Sequence, residues 1–81
     1  MHNIMVTIEN EQRTIQKDVE MPAHVRLALL RPELLGLMKV NVLNTNAKLY
    51  SVRLKRVLND EETLGQAGIW NGDYLVLIEH G

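Results

Sequence analysis

Only one stretch of this chain carries leucines at helical spacing, and it lies between segments that alternate with period two. Leu27, Leu30, Leu34, Leu37 and Met38 fall on one face of a helix, with Arg26, Arg31 and Glu33 at its margins. That apolar stripe has to be buried, and the strand-like segments on either side supply a sheet to bury it against. Pro32 is the irregularity. Inside a helix it removes a backbone donor and clashes one turn back, at a cost of about 3 kcal/mol, so a kink or a restart is expected there. Leu29 and Leu35 are left on the opposite side, either packed beneath a neighbouring loop or exposed as a binding strip.

Before the helix, Ile4-Met5-Val6-Thr7-Ile8 reads as a half-buried strand with Ile4, Val6 and Ile8 inward. Glu9-Asn10-Glu11-Gln12 reads as a polar turn, and residues 13–19 as a returning strand with Ile15 and Val19 as its apolar contacts. Met21-Pro22 closes this hairpin, because the residue before a proline is held extended and proline donates nothing to a ladder. After the helix, residues 39–48 form an ordered connection or a short edge strand. Residues 49–54 alternate, with Tyr50, Val52 and Leu54 on one face and Ser51, Arg53 and Lys55 on a basic one. Val57-Leu58 extends that strand or forms a short separate one, and residues 59–62 make a surface turn. Residues 63–69 form a short helical turn that plugs Leu64 and Ile69 into the core, with Gly68 as its positive-φ exit. Asn71-Gly72-Asp73 is a tight turn into a central strand, Tyr74-Leu75-Val76-Leu77-Ile78.

Composition removes whole classes of function. Leu, Ile and Val make up 26 of 81 residues, well above the threshold of about 20% below which a chain stays disordered. With no cysteine there is no disulfide, no thiolate nucleophile and no sulfur-ligated metal. His2, His24 and His80 have no metal-ligand spacing, so no metal and no cofactor is expected. Asp73, Glu79 and His80 are the one acid–histidine grouping, and Ser51 is isolated on its strand, so no catalytic residue is assigned. The start Met1-His2-Asn3-Ile4 lacks a basic segment followed by a long apolar run, and no apolar run is long enough to cross a bilayer; a cytoplasmic location without membrane insertion is expected. The formal charge of −1 conceals an uneven distribution: −2 over residues 1–22, +6 over 23–58 and −5 from residue 59 onward. Segments so opposed in a small domain are expected to neutralise one another in space. With only Trp70, Tyr50 and Tyr74 as stacking partners, nucleic acid is not an expected ligand.

The order ββαβ(β)β, with a short helical turn before the last strand, is that of the α+β ubiquitin-like β-grasp, a mixed sheet packed against one helix. Residues 1–81 are expected to form a single domain of this kind. The passage Val19-x-Met21-Pro22-Ala23-x-Val25-x-Leu27-Ala28-x-Leu30-x-Pro32-Glu33-Leu34 resembles the strand-to-helix passage of the YukD-like proteins of type VII (WXG-type) secretion systems. It also resembles the cytosolic N-terminal domain of that system's multi-spanning membrane component. Leu54-x-Arg56, then Thr63-Leu64 with Ala67-Gly68-Ile69, Asn71-Gly72-Asp73, Leu75 and Leu77, resembles the family's ending. The resemblance implies a non-enzymatic interaction module, accessory or regulatory to the secretion apparatus, whose partner is a protein of that apparatus and which is recruited to a membrane complex. A scaffolding subunit of another complex, such as an oxygenase, is the alternative. Conjugation or sulfur carriage fits less well, because the chain ends Glu79-His80-Gly81 and not in Gly-Gly. By strand parity, Met5, Thr7, Arg53, Lys55, Tyr74, Val76 and Ile78 point away from the helix and form the expected protein-binding face, an apolar patch rimmed by base with Tyr74 as anchor and Arg53 as partner for an acidic group. The same face would serve a homodimer.

Overall fold

Val6 and Ile8, both fully buried, alternate with outward Met5 and Thr7 along strand β1, Asn3–Asn10. A computed structural model describes residues 3–41, 43 and 46–79 of the chain. Strand β2, Gln16–Pro22, returns antiparallel beside β1, and helix α1, Leu27–Leu37, crosses the sheet. Strands β3, Lys48–Ser51, and β4, Arg56–Val57, then precede the short helix α2, Leu64–Ala67, and strand β5, Asp73–Ile78. The sheet order is β2-β1-β5-β3-β4. β5 is central, parallel to β1 and antiparallel to β3, so the sheet is mixed. Its Leu75 and Leu77 are buried under α1, while Tyr74, Val76 and Ile78 are half-buried on the other side.

The hairpin turns later than its polar residues imply. Glu9 and Asn10 belong to β1 and are buried, and the loop is built on the Asn10 side chain. Its Oδ1 accepts the Thr14 and Ile15 N–H groups at 2.9 and 3.0 Å, and its Nδ2 donates to Thr14 Oγ1 at 2.7 Å. Arg13, at φ 60°, sits at the bend, so the returning strand starts at Gln16 and not at Arg13.

Helix α1 runs through Pro32 without a restart. Its core face differs from the expected stripe at two positions: Leu35 is fully buried and Leu37 is 44% exposed. Leu37 is adjacent to Met38 and so lies about 100° round the helix from it, whereas Leu35, one turn earlier, shares Met38's face. Leu29 is 66% exposed. The first helical N–H groups find backbone partners from residues 59–62, Leu27 donating to the Glu62 carbonyl and Ala28 to that of Asp60, both at 3.0 Å. At the other end Lys39 donates to Gly36 O and Val40 to Leu35 O, a Schellman closure that holds Lys39 at φ 58°. Lys39→Gly is therefore expected to raise stability by about 1 kcal/mol, read as a higher urea midpoint.

Between α1 and β3 the described residues form a connection and no strand; Val42, Asn44 and Thr45 lie outside the described residues. β3 ends early, and its faces are the reverse of the expected ones: Leu49 and Ser51 are buried inward and Tyr50 faces out. The cause is Ser51. Its Oγ accepts the Leu54 N–H at 3.1 Å and its carbonyl accepts that of Lys55 at 2.8 Å, which coils residues 52–55 into a turn with Lys55 at φ 57°. Arg53 and Lys55 consequently lie in a turn and not on a strand. Val57 then pairs with Tyr50, so the short separate strand is the one that forms.

Leu64 and Ile69 are buried as expected, and Thr63 and Gln66 close α2 with a reciprocal capping box, each side chain accepting the other's N–H at 3.0 Å. Gly68 ends this helix at φ 81°, with nothing within 4 Å of where a Cβ would stand. Gly68→Val thus costs backbone strain and no clash, an expected loss of more than about 1 kcal/mol in a denaturant titration.

Candidate protein-docking face

Ion pairs tie the basic middle of the chain to its acidic end. Arg26 pairs with Glu61, Arg31 and Lys48 with Asp60, Arg53 with Asp73, and Arg56 with Glu62. Their weights differ. Arg26 and Glu61 are 57% and 79% exposed and contribute at most a few tenths of a kcal/mol, whereas the Asp73 carboxylate is only 9% exposed. Asp73 accepts from Arg53 Nε at 3.0 Å and Nη2 at 2.9 Å and from the Trp70 N–H at 2.8 Å. Arg53 also donates to the Gly68 carbonyl and lies 3.7 Å over the Trp70 ring. The guanidinium of Arg53 holds Asp73 below the usual carboxylate range, as Arg31 does for Asp60 and Arg56 for Glu62. A depressed folded-state pKa adds stability that is complete above the unfolded value and is lost as pH falls through the folded one. The urea midpoint is therefore expected to stay flat from neutrality to about pH 5 and to fall below about pH 4.

With those cations engaged, the face away from α1 has a different make-up from the expected basic-rimmed patch. Tyr50 stands opposite both Val76 and Val57, Val76 opposite Glu9, and Thr7 opposite Tyr74 and Asp18. Around this centre lies an open concavity of ≈ 360 Å³ lined by Glu9, Asn10, Glu11, Arg13, Tyr50, Val76 and Ile78. Tyr74 donates its hydroxyl to Glu9, which raises the phenol above its ordinary range. Thr7 Oγ1 donates to Asp18 at 2.7 Å, and the Glu79 N–H donates to Glu11 at 3.0 Å. Met5, 45% exposed, lies at the far end beside the turn, where its N–H donates to Asn71 Oδ1 and its carbonyl accepts from Gly72.

Of the seven residues expected on this face, Met5, Thr7, Tyr74, Val76 and Ile78 lie on it; Val76 and Ile78 line the concavity and Tyr74 borders it through Glu9. Arg53 is drawn into the Asp73–Trp70 cluster, and Lys55 is exposed in the preceding turn. The ionic lining is Glu9, Glu11 and Arg13. Sequence parity missed Tyr50 because it assigned β3 the opposite faces, and kept Arg53 and Lys55 on this face because it continued β3 past Ser51. The Ser51 hydroxyl, a residue type that competes with strand pairing, was the available signal. His24 is exposed, and His2 and His80 lie outside the described residues. Among the described residues no group of histidines and carboxylates converges as a metal site, and no helix is long and apolar enough to cross a membrane.

This architecture, a mixed five-stranded sheet with one long and one short helix, is the ubiquitin-like fold. It superposes on the ubiquitin of Caldiarchaeum subterraneum with a TM-score of 0.77 at 22% identity, covering 95% of this chain and 92% of that one. The ubiquitin-like domain of Arabidopsis thaliana At2g32350 gives 0.76 at 19% identity, over 96% and 78% of the two chains. The EccD5 ubiquitin-like domain of Mycobacterium xenopi gives 0.72 at 20%, over 96% and 94%. Within that fold the chain belongs to the YukD family, described as the WXG100 protein secretion system (Wss) protein YukD, whose model matches residues 3–77. No curated protein matches the sequence.

Proposed function

We propose that this chain is a non-enzymatic docking component of a WXG100-type secretion apparatus, acting in the cytoplasm and recruited to a membrane complex through the sheet face centred on Tyr50 and Val76. Family membership supplies the setting. The observation that carries the docking reading is the concavity itself, where Tyr50, Val76 and Ile78 lie uncovered by any described helix and ringed by Glu9, Glu11 and Arg13. An apolar centre with a mixed-charge rim is the make-up of a protein interface, in which aromatic and aliphatic anchors supply affinity and rim charges set orientation. Ser51 is buried and its hydroxyl is engaged by the backbone.

Affinity purification of the tagged chain from its native cell tests the proposal. A membrane component of the secretion apparatus is expected to co-purify. Recovery of an unrelated complex, or of a second copy of the chain alone, would replace this reading.

A further inference from the structure

The sheet has an open edge on the side away from β3 and β4. β2 is the first strand in the order, so among the described residues only one of its flanks is paired. The Asn10 N–H donates to the Ile15 carbonyl at 3.2 Å, and the register continues with Ile8 opposite Lys17 and Val6 opposite Val19. Strand alternation then turns the odd-numbered β2 backbone groups toward β1 and those of Gln16, Asp18 and Glu20 outward. Beside that edge, between β2 and α1, lies a groove of ≈ 90 Å³ lined by Val19, Met21, Leu30, Leu34, Leu37 and Glu33. Leu29, Glu33 and Leu37, at successive i+4 positions, continue it along the outer side of α1 as the exposed strip.

We infer that this edge and groove form a second docking site, which takes an extended segment of a partner protein that alternates apolar and basic residues and adds to the sheet beside β2. The outward N–H and C=O groups call for an extended backbone. Side chains directed toward α1 would meet the apolar groove, and alternate ones would meet Asp18 and Glu20 on the opposite face. Among the described residues neither Glu20 nor Glu33 forms an ion pair; Glu20 accepts only a 3.3 Å hydrogen bond from Asn3. Lysine or arginine at the alternate positions of the added strand would complement Asp18 and Glu20. The same charges disfavour a second copy. Opposite residues of an antiparallel pair share a face, so the three central registers of β2 against β2 set Asp18 against Asp18, Asp18 against Glu20, or Glu20 against Glu20.

The test is a titration of the isotope-labelled chain with the peptide acetyl-Lys-Val-Lys-Val-Lys-Leu-amide, followed by amide shifts and amide exchange. Shifts are expected along β2 and at Leu30, Leu34 and Leu37, with slowed exchange at Gln16, Asp18 and Glu20. The peptide with glutamate in place of each lysine is expected to bind at least about tenfold more weakly, and Glu20→Lys to weaken the lysine peptide by a similar factor. Glu20 is exposed, so the variant is expected to fold; Leu37→Asp tests the apolar groove separately. Equal binding of the two peptides, shifts centred on Tyr50 and Val76, or no shift at millimolar peptide would overturn the inference. So would exchange protection of β2 that depends on protein concentration without peptide, which would assign the edge to a second copy.

Discussion

Asp73→Ala is expected to lower the unfolding free energy by about 2–3 kcal/mol, the range for losing hydrogen bonds to a charged group that leave partners behind. The carboxylate is 9% exposed and serves three donor groups, Arg53 Nε, Arg53 Nη2 and the Trp70 N–H, so its loss frees the turn into β5 and the turn after β3 together. For a domain this small, with stability near the lower end of about 5–15 kcal/mol, that is a large fraction. Arg53→Ala is expected to cost less, because the side chain is 31% exposed and its removal leaves a carboxylate that Trp70 still partly satisfies. Urea titration of both single variants and the double variant is expected to show a loss for the double variant smaller than the sum of the two single losses. Additive losses would mean that the pair acts as two independent surface charges. Asp73→Asn should also flatten the acid decline in stability, since it removes one of the three depressed carboxyl groups.

Val76→Asp is expected to weaken partner binding more than about 100-fold, because a carboxylate at the centre of an apolar interface is desolvated without a partner. Val76 is half-buried and faces away from α1, so the core is untouched. It does stand opposite Glu9, and like charges directly opposite cost up to about 1 kcal/mol. Val76→Lys separates the two effects. It places a cation beside Glu9, should retain the wild-type urea midpoint, and is still expected to lose the partner in pull-down. A folded Val76→Lys protein that retains its partner would remove Val76 from the interface.

Elements whose signal is local were legible in the sequence. Gly68 and Gly72 adopt the positive φ that their turns need, Leu64 and Ile69 plug the core, and the hairpin–helix order gives the fold. What was not legible depends on which distant group a side chain meets. Arg53 read as a free cation for docking, but its carboxylate is twenty residues away in Asp73. Ser51 read as an unremarkable strand residue, yet its hydroxyl ends β3 and carries Arg53 and Lys55 into a turn, while pairing with Val76 sets Tyr50 on the concavity. The opposed charge of the middle and end segments was visible, and the five ion pairs show why: the strap over the start of α1 is held by Asp60, Glu61 and Glu62. The exchange of Leu35 for Leu37 is a small phase error with a large consequence, since it leaves Leu37 on the rim of the β2–α1 groove.

The most direct measurement is photocrosslinking in the native cell from benzoylphenylalanine placed at Tyr50, with Glu61, exposed in the segment that bonds the start of α1, as the comparison site. The account predicts a crosslink from position 50 to a membrane component of the secretion apparatus, lost in Val76→Asp, and none from position 61. A crosslink from position 61 alone, or one from position 50 that survives Val76→Asp, would contradict it.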